Sequence, residues 1–252
     1  MTRRAKGIWI AVGVMFMVTA SYSWFFGVAT MFVWQARSMS KNAPICRATP
    51  VQLSDTAVSN STGTSILVDG YRFEVPWRDA QEKESQQLPN WKSVTAMPSG
   101  PGVLVHTVPT RHFVNAVTQG TGSAIRTMFG AEALNSDYSF TKSMLETTPE
   151  QIRLMTPRKE AAARLTILLM KSIAVPAPAE SGLYSIRTPT FYGFQYGDPR
   201  NDPKKVIVDL FNDDGGMEFV FVSKDGGQSI SQADINRVIQ SVQKNAAEIP
   251  AK

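Results

Sequence analysis

The chain opens with thirty residues that carry no charged side chain, 7–36 (GIWIAVGVMFMVTASYSWFFGVATMFVWQA). As a helix rising 1.5 Å per residue this run would be roughly 45 Å long, more than the ~30 Å hydrocarbon core of a bilayer. Trp9 and Trp34 stand near its two ends, where interfacial aromatics sit. The pattern predicts a membrane-spanning signal-anchor helix within 7–36, in contact with the lipid bilayer, behind a short cytoplasmic tip. Arg3, Arg4 and Lys6 on one flank outweigh Arg37, Lys41 and Arg47 on the other only slightly. They favour a cytoplasmic N-terminus, a single-pass plasma (inner) membrane location and an extracytoplasmic C-terminal domain. The alternative is a secreted product cleaved near Ala20, with Val18 and Ala20 as the small residues of the cleavage site. That product would carry the apolar stretch 24–34 exposed.

The pattern then changes twice. Residues 37–63 are rich in Ser, Thr, Asn and Pro, show no periodicity, and read as a flexible tether. From 64 onward the chain reads as one α+β domain, 64–252. Alternation over 65–68 and 71–76 around Asp69-Gly70 predicts a hairpin, and 103–108 predicts a third strand. The polar stretch 78–91 reads as a loop or an exposed helical turn. Between 110 and 175 the period is that of helices: 110–134 interrupted near Gly120–Gly122, 138–146 capped by Ser136 or Asp137, a start at Thr148-Pro149, and 158–175. In the last of these Ala161, Leu165, Leu168, Leu169 and Ile173 form the expected buried side, with Arg158, Lys159 and Lys171 facing elsewhere. Strands are predicted at 183–187, 191–196, 205–211 and 217–223, and a closing helix over about 231–245 with Ser231 and Asp234 as a capping box. Short turns between strands imply antiparallel pairing, so the expected architecture is an antiparallel sheet covered by helices.

Charge and composition narrow the chemistry. The net charge is +5, but three basic residues precede the apolar run and the balance beyond it is nearly even, which argues against nucleic acid. One cysteine, Cys46, excludes a disulfide scaffold and thiolate metal clusters. On an exposed tether it would be free to join two chains as a homodimer. His106 and His112 lie six apart across Pro109, not at the three or four of a helical metal pair. Gly120-Thr121-Gly122-Ser123 resembles part of a phosphate-cradling loop but lacks the third glycine of the dinucleotide fingerprint and the lysine of the P-loop. The carboxylates Asp198, Asp202, Asp213, Asp214 and Glu218 sit in or beside turns without calcium-loop spacing. No catalytic, cofactor-binding or metal-binding residue is assigned, and no cofactor is expected. Tyr184, Arg187, Tyr192, Phe194 and Tyr196 are the candidate partner surface, an aromatic and basic cluster on two strands.

Gly70, Tyr71, Phe73, Val75, Pro76 and Trp77 at the start of the domain, the run Phe219-Val220-Phe221-Val222 and the amphipathic helix that follows it together resemble the PsbP/Mog1-like fold. The resemblance covers residues 64–77 and 183–245, and departs in the long helical block 110–175. It implies a helix packed across an antiparallel sheet and a non-enzymatic protein that binds a protein partner; no site residue is carried over. The expected function is therefore a membrane-anchored accessory or partner-binding protein. The alternatives are an extracytoplasmic, hydrolase-type enzyme whose carboxylates come from distant segments, or a small-ligand sensory domain.

Overall fold

The computed structural model describes residue 17 and residues 27–60, 63–84, 92–96, 100–118, 122–223 and 228–244. Eleven strands among these form two sheets. The larger holds β1 (Val51–Gln52), β4 (Ala80–Glu84), β5 (Lys92–Ala96), β6 (Gly102–Pro109), β7 (Leu183–Arg187), β8 (Tyr192–Tyr196), β9 (Lys205–Asn212) and β10 (Gly215–Val222), in the order β1-β7-β8-β9-β10-β6-β5-β4. The smaller is β2 (Thr64–Val68), β3 (Tyr71–Val75) and β11 (Gln243–Lys244), in the order β11-β3-β2. Every neighbouring pair is antiparallel except β1 with β7.

Local chemistry explains the elements that the sequence predicts well. Asp69 and Gly70 both take positive φ, 43° and 80°, as a two-residue turn matched to strand twist requires. Ser136 caps α4 (Asp137–Glu146) by accepting from the Ser139 amide at 3.1 Å. Ser231 and Asp234 form the reciprocal capping box of α6 (Gln232–Gln240). Helices α2 (His112–Thr118) and α3 (Gly122–Phe129) flank the predicted glycine break. Residues 80–84, within the stretch 78–91 expected to be a loop or helical turn, instead form a strand paired with 92–96.

The large sheet is covered on both faces. On one face Val103, Val105, Val208, Leu210, Phe219 and Phe221 pack against the small sheet and α6, where Phe73 meets Phe219 edge-on at 5.3 Å between centroids. Each such side chain contributes about 1.5–3 kcal/mol on burial. On the other face Phe194, Tyr196, Ile207, Phe211 and Val220 pack under α4 and α5 (Arg158–Ala174). A buried amide network ties α6 to this frame. Gln195 and Gln232 exchange hydrogen bonds at 2.8 and 2.9 Å, and Asn236 donates to the Asp55 and Ala57 carbonyls at 2.8 Å.

The N-terminal expectations are corrected. Among the described residues no helix is long and apolar enough to cross a membrane, so the single-pass signal-anchor, the membrane location and the extracytoplasmic placement built on it are not supported. Residues 1–16 and 18–26, with the cleavage position near Ala20, lie outside the described residues. Residues 27–36 of the charge-free run belong to α1 (27–42), which buries Ala29, Ala36 and Ser40 and packs Phe32, Val33 and Met39 against α5. Nor is 37–63 loose. It continues α1, forms a 3-10 turn at Pro44–Arg47 with Ile45 and Cys46 buried, and adds β1 to the edge of the large sheet.

The reason is a lysine. Lys171 in α5 is fully buried, and its ammonium donates to the carbonyls of Ala48 and Leu145 at 2.6 Å, Thr147 at 3.0 Å and Cys46 at 3.4 Å. Helix α5 therefore buries Ala161, Ile167, Leu168 and Lys171, while the expected core residues Leu169 and Ile173 face solvent. Lys171→Met fills the space but strands these carbonyls. It is expected to lower stability by at least about 3 kcal/mol, read from the urea midpoint at constant slope; a loss below about 1 kcal/mol would show that the cage is incidental.

Candidate functional site

Because α5 turns Lys171 inward, its opposite side presents an apolar stripe. Leu165 and Leu169 line a groove with Trp34, Met39 and Ala43 of the N-terminal segment, and the groove encloses about 480 Å³. The stripe on α1 follows helical spacing. Val28, Met31 and Trp34 lie outward, at positions between the buried Ala29, Ala36 and Ser40. Trp34 is 67% exposed, Leu169 51% and Ile173, one turn further along α5, 77%. None of the ten residues lining the groove is charged. Its floor is fixed by two devices: the Lys171 cage, and the Cys46 thiol, which donates to the Leu168 carbonyl at 3.7 Å. Burial raises the Cys46 pKa, with Lys171 opposing it. Cys46 is fully buried, not presented on a tether where it could join two chains.

The predicted aromatic and basic surface is largely taken up by packing. Phe194 and Tyr196 are buried beneath the helical layer, and Tyr138 of α4 stacks on Phe194 at 5.3 Å. The Tyr184 hydroxyl donates to Asp198 at 2.8 Å. Asp198 is held by Arg200 through two bonds of 3.0 and 2.9 Å, and this pairing brings its pKa down to about 2. Arg187 and Tyr192 remain toward solvent, the guanidinium 5.3 Å from the ring centroid. Side-chain alternation on β8 sends 194 and 196 to the helix-covered face, which strand assignment alone does not reveal.

A third grouping was legible only after the strand register was known. Phe194, Asp209, Glu218 and His106 stand opposite one another on β8, β9, β10 and β6, in one row on the helix-covered face. His106 Nδ1 lies 3.9 Å from Glu218 Oε2. Burial pushes Asp209 up to about 8, with repulsion from Glu218 adding to it and a hydrogen bond from Tyr196 opposing it. Burial also raises Glu218, partly offset by Lys205. It lowers His106, with His112 acting in the same direction. The row gathers three ionisable side chains, but Asp209 and Glu218 line neither the apolar groove nor the two cavities beside Arg111. Gly120 and Thr121 of the glycine-rich motif lie outside the described residues. Among the described residues no three His, Cys, Asp or Glu side chains are grouped to hold a metal ion.

The Asp209 environment sets a pH dependence with a definite sign. An unfolded aspartate titrates near ~4, whereas in the fold Asp209 keeps its proton up to about 8. The native state therefore binds the extra proton between these values, and this residue's stabilising contribution is fully present below pH ~4 and lost as pH rises toward 8. Asp209→Asn removes that loss. The stability difference between wild type and Asp209→Asn, from urea unfolding at pH 5 to 8, is expected to shift steadily against the wild type as pH rises; a flat difference would overturn the assignment.

No family model matches this chain, and comparison with curated proteins and with solved structures finds no match either, so the functional reading rests on the geometry above.

Proposed function

We propose that this chain is a partner-binding domain whose docking surface is the groove between α1 and α5, and that the groove takes an apolar or amphipathic segment of another polypeptide. The observation that carries the reading is the uncharged stripe shared by two helices that are already locked together. A protein surface rarely leaves a tryptophan, a leucine and an isoleucine exposed on two packed helices unless something covers them. The groove matches the mode in which an amphipathic helix inserts anchors at i, i+3 or i+4, and i+7. Burying an aromatic such as Trp34 removes about 150–250 Å² from water, the type of contact that dominates interface energy. The floor is held before any partner arrives, so little ordering entropy is spent on binding. The resemblance to the PsbP/Mog1-like fold, whose members bind partners, points the same way. The acid–base row on the large sheet is the feature that would favour an enzyme, and its two carboxylates line none of the three cavities described above.

The test is a photoreactive residue introduced at position 169 of the full chain in its native cell. The expected result is a light-dependent adduct with one discrete second polypeptide. Trp34→Asp is expected to weaken that adduct at least tenfold, about the effect of losing one interface anchor, without lowering the unfolding midpoint. Adducts confined to the chain itself, or an adduct indifferent to Trp34→Asp, would reject this docking surface.

A further inference from the structure

We infer that the cavity between α2, α3 and the residues leading into α4 is a binding site for a small phosphate-bearing ligand, gripped between Arg111 and Arg126. The cavity measures about 660 Å³ and shares no lining residue with the apolar groove. Arg111 and Arg126 are its charged residues, Thr118 and Asn135 its polar ones, and Val114 and Leu134 part of its apolar wall. Among the described residues no carboxylate lines it.

Arg111 is built into this position. It sits at the turn between β6 and α2 with φ at 59°, a left-handed conformation that glycine or asparagine adopts far more readily. Strain of this kind persists where the surroundings hold the residue, and it concentrates at binding sites. Here the surroundings are two carbonyls: Nη2 donates to Leu134 at 3.1 Å and Nη1 to Asn135 at 3.2 Å. These bonds fix the guanidinium plane at the cavity wall and use two of its five N–H donors, leaving three for a ligand. A rigid fork of this type matches the oxygen spacing of phosphate.

Arg126 supplies the second positive charge. It is exposed on α3; its carbonyl accepts from the Gly130 amide at 2.9 Å, while its guanidinium makes no hydrogen bond or ion pair among the described residues. Glu132, exposed between the lining residues Ala131 and Leu134, is not itself among the lining residues, and two other carboxylates in this region are otherwise placed. Asp137 is buried and accepts from the Val114 amide at 2.9 Å, at the start of α2. Asp213 lines a separate cavity of about 110 Å³ that adjoins Arg111 and Asn135. Two guanidiniums facing one space without a lining carboxylate suit a dianion better than a single carboxylate. The apolar wall leaves room for an organic moiety beside the phosphate.

The probe is inorganic pyrophosphate, titrated calorimetrically into the full chain at constant ionic strength, with citrate as the carboxylate comparison. Saturable binding is expected, at least tenfold tighter for pyrophosphate than for citrate. Arg126→Gln, at an exposed position, is expected to weaken pyrophosphate binding at least tenfold with an unchanged unfolding midpoint. Arg111→Asn, which relaxes the backbone while removing the fork, is expected to do the same. Equal affinity for citrate, equal affinity in Arg126→Gln, or no saturable heat up to about 10 mM would each overturn the proposal.

Discussion

The buried ammonium of Lys171 is the constraint on which much of this structure depends. A lysine side chain taken out of water must recover its solvation from fixed dipoles or give up its proton. Here burial draws its pKa down to about 8, while Cys46 and Glu150 act to hold the charge. Four carbonyl oxygens meet three ammonium protons, and a neutral amine could not satisfy them as well. Those carbonyls belong to the N-terminal segment and to the end of α4. One side chain therefore dictates how three parts of the chain meet and which side of α5 faces in.

This dependence also explains what could be read from the sequence and what could not. Strands, turns and caps with local causes were legible: Asp69-Gly70, the Ser136 cap, the Ser231–Asp234 box and the meander 183–222 need only neighbouring residues to be understood. The buried face of α5 was not. Ala161 and Leu168 belong to two overlapping stripes, and the choice between Leu169 and Lys171 as the core position is settled by carbonyls far away in the chain. A lysine counts as exposed in any pattern reading. The same reading took 37–63 for a tether, because a polar segment held by backbone pairing and a side-chain cage shows no periodicity of its own.

The functional features divide in the same manner. The aromatic and basic cluster was visible as composition, yet Phe194 and Tyr196 are buried beneath the helices while Tyr192, on the same face of β8, and its strand partner Arg187 stay exposed. The row of Asp209, Glu218 and His106 assembles three residues whose spacing in the sequence carries no signal; only the pairing of β6, β9 and β10 brings them together. The apolar groove was half-legible. Trp34 lay within a run that was conspicuous from the outset, but its meaning changed once α1 was seen to bury one side against α5 and to leave the other open.

The Lys171 cage reaches back 123 and 125 residues, to Ala48 and Cys46, and β1 pairs with a strand of comparable remoteness. During synthesis the partners of the N-terminal segment do not yet exist. At about 5–20 residues per second, roughly ten seconds pass between emergence of Cys46 and emergence of Lys171. Closing so long a loop is entropically costly and is rewarded only when the far contacts form. Throughout that interval Phe32, Val33 and Met39 of α1 have no α5 to lie against, so a segment made well before α5 is among the last to find its place.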